Sequence, residues 1–282
     1  MPGTRSSEVG RGPLPGVGRG LLWFVVVVNA IIGLVAVVVS VGVLLAPAQD
    51  RPWSVGTGVL VLLGGLGWLG VLAFGFYRNY LHQPPATGRR VTLAEVEGER
   101  AVVLPWRTTF LHAPLWMSVF VAIVFGGGAI AFRNQGNPGW WILAIVAVPV
   151  VLVLPDKLIQ LTRTCRVVMS PRGIGVNGWD GDAWLDWDDV QGIAFDQVNQ
   201  WTVLRVVGRD GAASWRFRRR PRVLNAITPK GPWVDIPGPA LEVEVMALFD
   251  AIAHYTRHPS ARAELATETG RRRVVGAGTP TA

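Results

Sequence analysis

GWWILAIVAVPVVLVLPDKLIQLTRTCRVVMSPRGIGVN, residues 139–177, holds the change of solvent that decides the fold. Gly139 to Leu154 is apolar without a break, and Asp156 to Thr164 reads as an amphipathic exit. From Cys165 the period becomes two: Cys165 to Met169 and Gly173 to Asn177 alternate on either side of a Ser170-Pro171-Arg172-Gly173 turn. A membrane span therefore runs directly into a strand of an aqueous domain.

Toward the N-terminus lie three more apolar stretches, Leu21 to Ala46, Val55 to Phe76 and Pro114 to Phe132. All four serve to cross about 30 Å of hydrocarbon, and none contains Asp, Glu, Lys, Arg or His. Ala46-Pro47-Ala48 imitates a signal-peptide cleavage site, but the 26 residues before Pro47 far exceed a signal core, which favours an uncleaved span. Charge divides at the same place. Residues 1–155 carry 10 Lys/Arg and 5 Asp/Glu, and residues 156–282 carry 17 and 14, a soluble-domain density.

Basic residues number three before the first span, one (Arg51) after it, five between spans two and three, one (Arg133) between three and four, and 17 beyond. Heavy counts mark the cytoplasmic side, so both termini and the loop Tyr77 to Ala113 are expected there, in a multi-pass inner (cell) membrane protein. Trp23, Trp53, Trp106, Trp116, Trp140 and Trp141 fall near span ends, where indoles anchor at headgroups. In the loop, Thr92-Leu93-Ala94-Glu95 matches a capping box, which predicts a short interfacial helix ending at Pro105, with Trp106 and Arg107 at the headgroups. Small residues at helical spacing, Asn29, Gly33, Ala36 and Ser40 in span one and Ser118, Ala122, Gly126 and Ala129 in span three, suit close packing, within this bundle or against a partner's helices. Pro149 is expected to kink span four. Spans free of charge argue against a pump or proton-coupled transporter.

Beyond the two strands quoted, alternation predicts Ala183 to Trp187, Gln191 to Asp196, Trp201 to Val207, Ala212 to Arg218 and Trp233 to Ile236. A helix follows, with Pro239 in its first turn, Glu242 and Glu244 near its N-terminus, and Leu241, Val245, Leu248, Phe249 and Ile252 as one apolar stripe before Pro259 stops it. Seven antiparallel strands closed by a C-terminal helix resemble a pleckstrin-homology (PH)-like barrel. The chain is similar to uncharacterised actinobacterial integral membrane proteins with a bacterial PH-like domain, through Val168-Met169-Ser170-Pro171-Arg172-Gly173-Ile174, Leu185-Asp186-Trp187-Asp188-Asp189-Val190 and His258-Pro259-Ser260-Ala261-Arg262-Ala263-Glu264-Leu265. The resemblance covers about 100 residues and implies a binding or scaffolding module without catalytic residues. The expected fold is thus an α-helical bundle of four transmembrane helices followed by a mainly β PH-like barrel with a C-terminal helix. By residue, this means a disordered cytoplasmic tail over 1–20, the membrane region over 21–155 with loop 77–113, the PH-like domain over 156–265, and a second disordered tail over 266–282.

Two surface patches stand out. Arg216, Arg218, Arg219, Arg220 and Arg222 surround Phe217, and strand alternation puts Arg216, Arg218 and Arg220 on one face. They read as a solvated face or as a contact for anionic lipid; no nucleic-acid fold signature accompanies them, so a nucleic-acid partner is not expected. Asp182, Asp186 and Asp188 around Trp184 read as an ordinary strand face or a protein-binding patch. As a calcium loop starting at Asp180, the run lacks the closing Glu and the central Gly. A single cysteine, Cys165, excludes an intrachain disulfide. His82, His112, His254 and His258 are scattered, and no nucleophile elbow, phosphate loop or paired zinc motif occurs. Neither a metal nor a cofactor is expected. The reading is a non-catalytic scaffold or accessory module that binds a membrane protein complex or an anionic lipid surface, compatible with a homo-oligomer. A small-molecule or lipid transporter and an enzyme with an unrecognised site are the alternatives.

Overall fold

The computed structural model describes residues 19–76, 87–198, 201–221 and 231–276. The expected N-terminal tail, up to residue 18, lies outside the described residues, as do His82 and Arg222.

Among the described residues four helices are long and apolar enough to cross a membrane. α1 (Arg19–Leu45) and α2 (Val55–Phe76) form a hairpin, and Arg51 closes it by donating from Nε to the Ala46 carbonyl at 2.9 Å, which satisfies a helix-end acceptor. The third span is compound: α3 (Thr108–Val121) passes through a π turn at Ala122–Gly126 into α4 (Gly127–Asn134). α5 (Trp140–Leu161) is the fourth and contains both Pro149 and Pro155. It runs two turns past the expected end at Leu154, and its last turns carry the buried Asp156 and Gln160. Gln160 Nε2 donates to Asp156 Oδ2 at 3.1 Å.

Glycine lets these helices approach. A Cβ on Gly33 would lie 2.9 Å from the Leu69 side chain, and one on Gly65 would lie 3.1 Å from the Gly33 carbonyl. Ser40, fully buried, donates to the Ala36 carbonyl, while Asn29 is half-buried on the same helix. Ser118 donates to the Pro114 carbonyl at 2.8 Å. Gly126 faces Ala147 of α5, and Ala122 opens the π turn. Gly33, Ser40 and Gly126 of the small-residue faces are thus spent within the chain.

Among the described residues nine strands follow an arrangement that alternation after residue 165 did not foresee. Residues Thr92–Val96 and Glu99–Pro105 form strands β1 and β2, not an interfacial helix. The two-residue turn between them, Glu97-Gly98, has φ of 53° and 83°, which suits the right-handed twist of a hairpin. The capping-box pattern lost because Val102 and Leu104 alternate into the core while Ala101 and Val103 occupy the other face. β2 then pairs antiparallel with β3 (Arg166–Met169), with Val103 opposite Val168 and Pro105 opposite Arg166. The expected aqueous domain of 156–265 therefore also contains the hairpin from the second loop. This pairing puts that loop and the segment after α5 on the same side of any bilayer the helices cross.

β4 (Gly173–Asn177), β5 (Gly181–Asp186), β6 (Val190–Val198), β7 (Trp201–Gly208), β8 (Arg216–Arg219) and β9 (Trp233–Pro237) complete two antiparallel sheets, in the orders β1-β2-β3-β4-β5-β8 and β6-β7-β9. Among the described residues these remain two sheets, not one closed barrel. Trp187 leaves the expected strand for a 3-10 turn, where its buried indole donates to the Ser170 carbonyl at 2.8 Å. The strand expected over Ala212 to Arg218 starts only at Arg216, after a turn containing Gly211 at φ 72°.

The closing helix α6 (Val245–Arg257) starts later than expected, since Pro239 belongs to a separate 3-10 turn. Leu248, Ile252 and Tyr255 are fully buried against Leu185, Trp187, Leu204 and Ile236. Far from a disordered tail, Glu268–Val275 forms a helix, α7, that buries Val274 completely and packs beside β1. The added hairpin supplies the apolar wall that this segment needs.

Leu248→Ala is expected to destabilise the aqueous domain by about 2–5 kcal/mol, as a fully buried large-to-small change. Gly98→Ala meets no neighbour, so its expected cost of about 1–2 kcal/mol comes from the left-handed backbone alone. Denaturant titration of the solubilised full chain, followed by tryptophan fluorescence, checks both; a loss below about 0.5 kcal/mol for Leu248→Ala, well under that range, contradicts the assigned core.

Candidate functional site

Where the strands meet the helices, the chain turns sharply and uses aromatic side chains to do so. Trp106 and Arg107 alone separate β2 from α3. The Trp106 ring, 5% exposed, meets Phe110 of α3 edge-on at 5.8 Å and Trp179 of the β4–β5 turn at 5.5 Å, and Phe110 and Trp179 stack with centroids 5.1 Å apart. The backbone N–H of Trp106 donates to the Cys165 carbonyl, and that of Arg107 to the Ala240 carbonyl. Two residues past α5, Arg163 donates from its two terminal nitrogens to the carbonyls of Trp179 and Pro221. The far end of β8 is thereby tied to the end of the fourth span.

Register defines the surface that results. On the face of the six-stranded sheet away from the core, Pro105, Arg166, Asn177, Asp182 and Arg218 stand opposite one another in a single row across five strands. Pro105 lies three residues before α3, which a chain spans in at most about 11 Å. This row lies at the end of the sheet nearest the start of α3 and the end of α5.

It is hydrogen-bonded along most of its length. Arg166 Nε donates to Asn177 Oδ1 at 3.1 Å, and Asn177 Nδ2 to Asp182 Oδ1 at 2.8 Å. Arg220 Nη2 approaches the same Oδ1 at 2.7 Å while its Nε donates to Oδ2 at 3.2 Å, the bidentate geometry of a guanidinium on a carboxylate. Arg216 and Arg218 are exposed on this face, with Trp184 and Asp182 as their cross-strand neighbours. Arg219, also exposed, stands opposite Gly181. Among the described residues, Arg166, Arg216 and Arg218 have no ion-pair partner, so the row carries excess positive charge.

Of the acidic residues that the sequence set apart, Asp182 and Asp186 lie on the same face of β5 as this row. Trp184 lies across Gly173 and Gly175, where a Cβ on Gly173 would come 2.9 Å from the ring, and its indole N–H donates to Asp186 Oδ1 at 2.6 Å. Asp186 also meets Arg172 at 3.5 Å, and Asp188 meets Arg262 at 2.6 Å. Asp182, Asp186 and Asp188 each have a partner within the chain, and Trp184 is laid flat instead of projecting. Among the described residues no three His, Cys, Asp or Glu side chains are placed to hold a metal ion.

Burial pushes the Cys165 thiol up to about 11, with Arg220 and Arg163 pulling against it. The cysteine is therefore a packed apolar group at neutral pH. Burial also lowers His254, helped by Arg273 and by His258, on which it stacks at 4.6 Å. Asp189 is held below the ordinary carboxylate range by hydrogen bonds from the hydroxyl and the backbone N–H of Ser214.

Sequence reasoning found the arginines of β8 and the aspartates of β5 but missed that the strands are neighbours. It also missed Arg163, Arg166 and Asn177, for which the available signal was the polar close of two apolar strands beside the span end. Comparison with known protein families, with curated proteins and with solved structures finds no match.

A depressed carboxylate stabilises the fold above its unfolded-state pKa, and that contribution is lost as pH falls through the folded-state value. Ser214→Ala is accordingly expected to lower the melting temperature at pH 7 and to differ less from the parent as pH falls toward 3. Thermal melts of both proteins across this range check the trend; a gap that widens in acid contradicts it.

Proposed function

We propose that this protein is a non-catalytic membrane scaffold whose aqueous β domain lies on the cytoplasmic surface and binds anionic lipid there. One observation carries the reading: the arginine-bearing edge of the six-stranded sheet is the edge that the chain holds against the ends of α3 and α5. Asp156 to Leu161 is six residues, and from the first to the last the helix rises about 7.5 Å, comparable to the polar headgroup layer of one leaflet. Arg163 and the row beside it then emerge at phosphate level, where each basic side chain contributes roughly 1 kcal/mol of attraction to an anionic surface.

Two sheets with α6 packed at one end support the PH-like reading of the domain. Cytoplasmic placement follows from the basic counts on alternate connections. Lipid is favoured over a docked partner helix because Gly33 and Gly126 already receive neighbours from α2 and α5. The buried Asp156–Gln160 pair sits at the domain end of α5, so it serves the junction more than a path through the bilayer.

Delipidated full-length protein, offered phosphatidylcholine mixed with anionic phospholipids, is expected to retain the anionic species in native mass spectrometry. The triple substitution Arg216→Ser, Arg218→Ser and Arg220→Ser should reduce retention several-fold; unchanged retention overturns the site. For topology, a membrane-impermeant thiol reagent on intact cells should label cysteines introduced at Ser54 and Asn134 and spare one at Ser260. Labelling at Ser260 from outside inverts the orientation.

A further inference from the structure

α7 is docked between two parts of the chain that are far apart in sequence. On one side Val275 lies so close over Gly88 that there is no room for a Cβ there, and Arg271 donates to the Val91 carbonyl at 3.4 Å. On the other side Gly270 rests against the Glu264 carbonyl. The Arg273 guanidinium meets Glu264 Oε2 from both Nε and Nη2, each at 3.2 Å. Glu264 belongs to the 3-10 segment Pro259–Ala266 that leads out of α6.

His254 of α6 stands beside this ion pair. Its ring stacks on His258 with centroids 4.6 Å apart and meets Tyr255 edge-on at 5.2 Å. Its Nε2 is covered and has no hydrogen-bond partner. The charged and titratable groups that face it are Arg273 from α7, Glu264 from the 3-10 segment and His258 from its own helix. Tyr255, pushed up to about 12 by burial, brings no charge at neutral pH. The other elements packed on α6 spend their charges elsewhere: Asp188 on Arg262, Asp189 on Ser214 and Asp196 on Arg205. Glu264 is therefore the one carboxylate at this junction, and Arg273 already holds it.

We propose that α7 is an acid-released latch: neutral His254 leaves the Arg273–Glu264 pair that docks the helix undisturbed, and a proton on His254 breaks that arrangement and frees it. A protonated Nε2 is a donor with no acceptor in a covered position, and its charge lies beside a guanidinium. It repels Arg273 or takes Glu264 from it, and either way α7 loses its polar contact with the segment before it. While α7 is docked, burial, Arg273 and His258 hold His254 below the ordinary histidine value; release removes Arg273 and returns the ring toward about 6.5. The docked form binds the proton less well. Docking is accordingly strongest above the released-state value and weakens as pH falls through it, by at most about tenfold per pH unit for one proton. Release uncovers Val91 and Val274, both buried in the docked form beside the start of β1. The signal is acidification on the side that holds the aqueous domain, and the latch stands whether or not the sheet binds lipid.

Hydrogen exchange of the full-length protein in detergent, read by mass spectrometry and corrected for the intrinsic rate at each pH, tests the latch. Between about pH 7.5 and 5.5, above the ordinary carboxylate range, the amides of α7 should speed up several-fold while those of β4 hold steady. His254→Gln, whose side chain takes no proton, should exchange alike at both pH values. Arg273→Gln should loosen α7 at both, and acid should no longer speed it, because a protonated His254 then has Glu264 to itself. No acceleration of α7 in wild type overturns the latch, and so does equal acceleration in β4, which marks general loosening. Acceleration that persists in His254→Gln removes His254 from the role. Should that variant fail to fold, Arg273→Gln decides: acid acceleration that persists there overturns the opposition of Arg273 and His254 on which the latch rests.

Discussion

The antiparallel pairing of β2 with β3 is the contact on which the rest of the molecule depends. It joins a strand that leads into α3 to a strand that follows α5, so the two helices and the two strands form one closed circuit of chain. The aqueous domain is consequently held at two points and has little freedom to turn on its tether. Without β2, the inner face of β3 would stop at Val167 and Met169, and the C-terminal segment would lose the wall that buries Leu265 and Val274. A hydrogen-bonded ladder between segments separated by two spans thus gives the domain its extent, its orientation and its last helix.

From this circuit the candidate site follows by geometry. A sheet whose strands enter and leave near the span ends must present one row of residues toward those ends. In this chain the row is Arg166, Asn177, Asp182 and Arg218, steadied by Arg220 and framed by the Trp106, Phe110 and Trp179 cluster. β8 is an edge strand, and charged edges also discourage sheet-to-sheet association. That role explains a charged strand; it does not explain why the charge is concentrated at the end tied down by Arg163.

Legibility in the sequence was uneven. Spans were readable to within a few residues at most ends, since hydropathy over some 20 residues is a local property and lipid enforces it. Strands β3, β4, β6, β7 and β9 were readable from alternation, and so was the apolar stripe of α6. The hairpin was not: Thr92-Leu93-Ala94-Glu95 satisfies a helix-start pattern as well as a strand, and four residues cannot arbitrate between them. Glu97-Gly98 was the overlooked sign, a turn pair between two alternating runs. Residues 268–275 looked like a tail because a helix carrying Arg271, Arg272 and Arg273 shows little apolar face until β1 and β2 are present to receive Val274.

By itself the sequence determined which segments are long and apolar enough to span a membrane and most strand positions, because hydropathy and period are properties of neighbouring residues. Only the tertiary structure decided that two loops far apart in the chain build one sheet, that the basic and acidic runs are adjacent strands, and that Asp182 already holds Arg220. Strand pairing and ion pairing link residues across long stretches of chain, and their partners are chosen by burial and register, which no local pattern encodes.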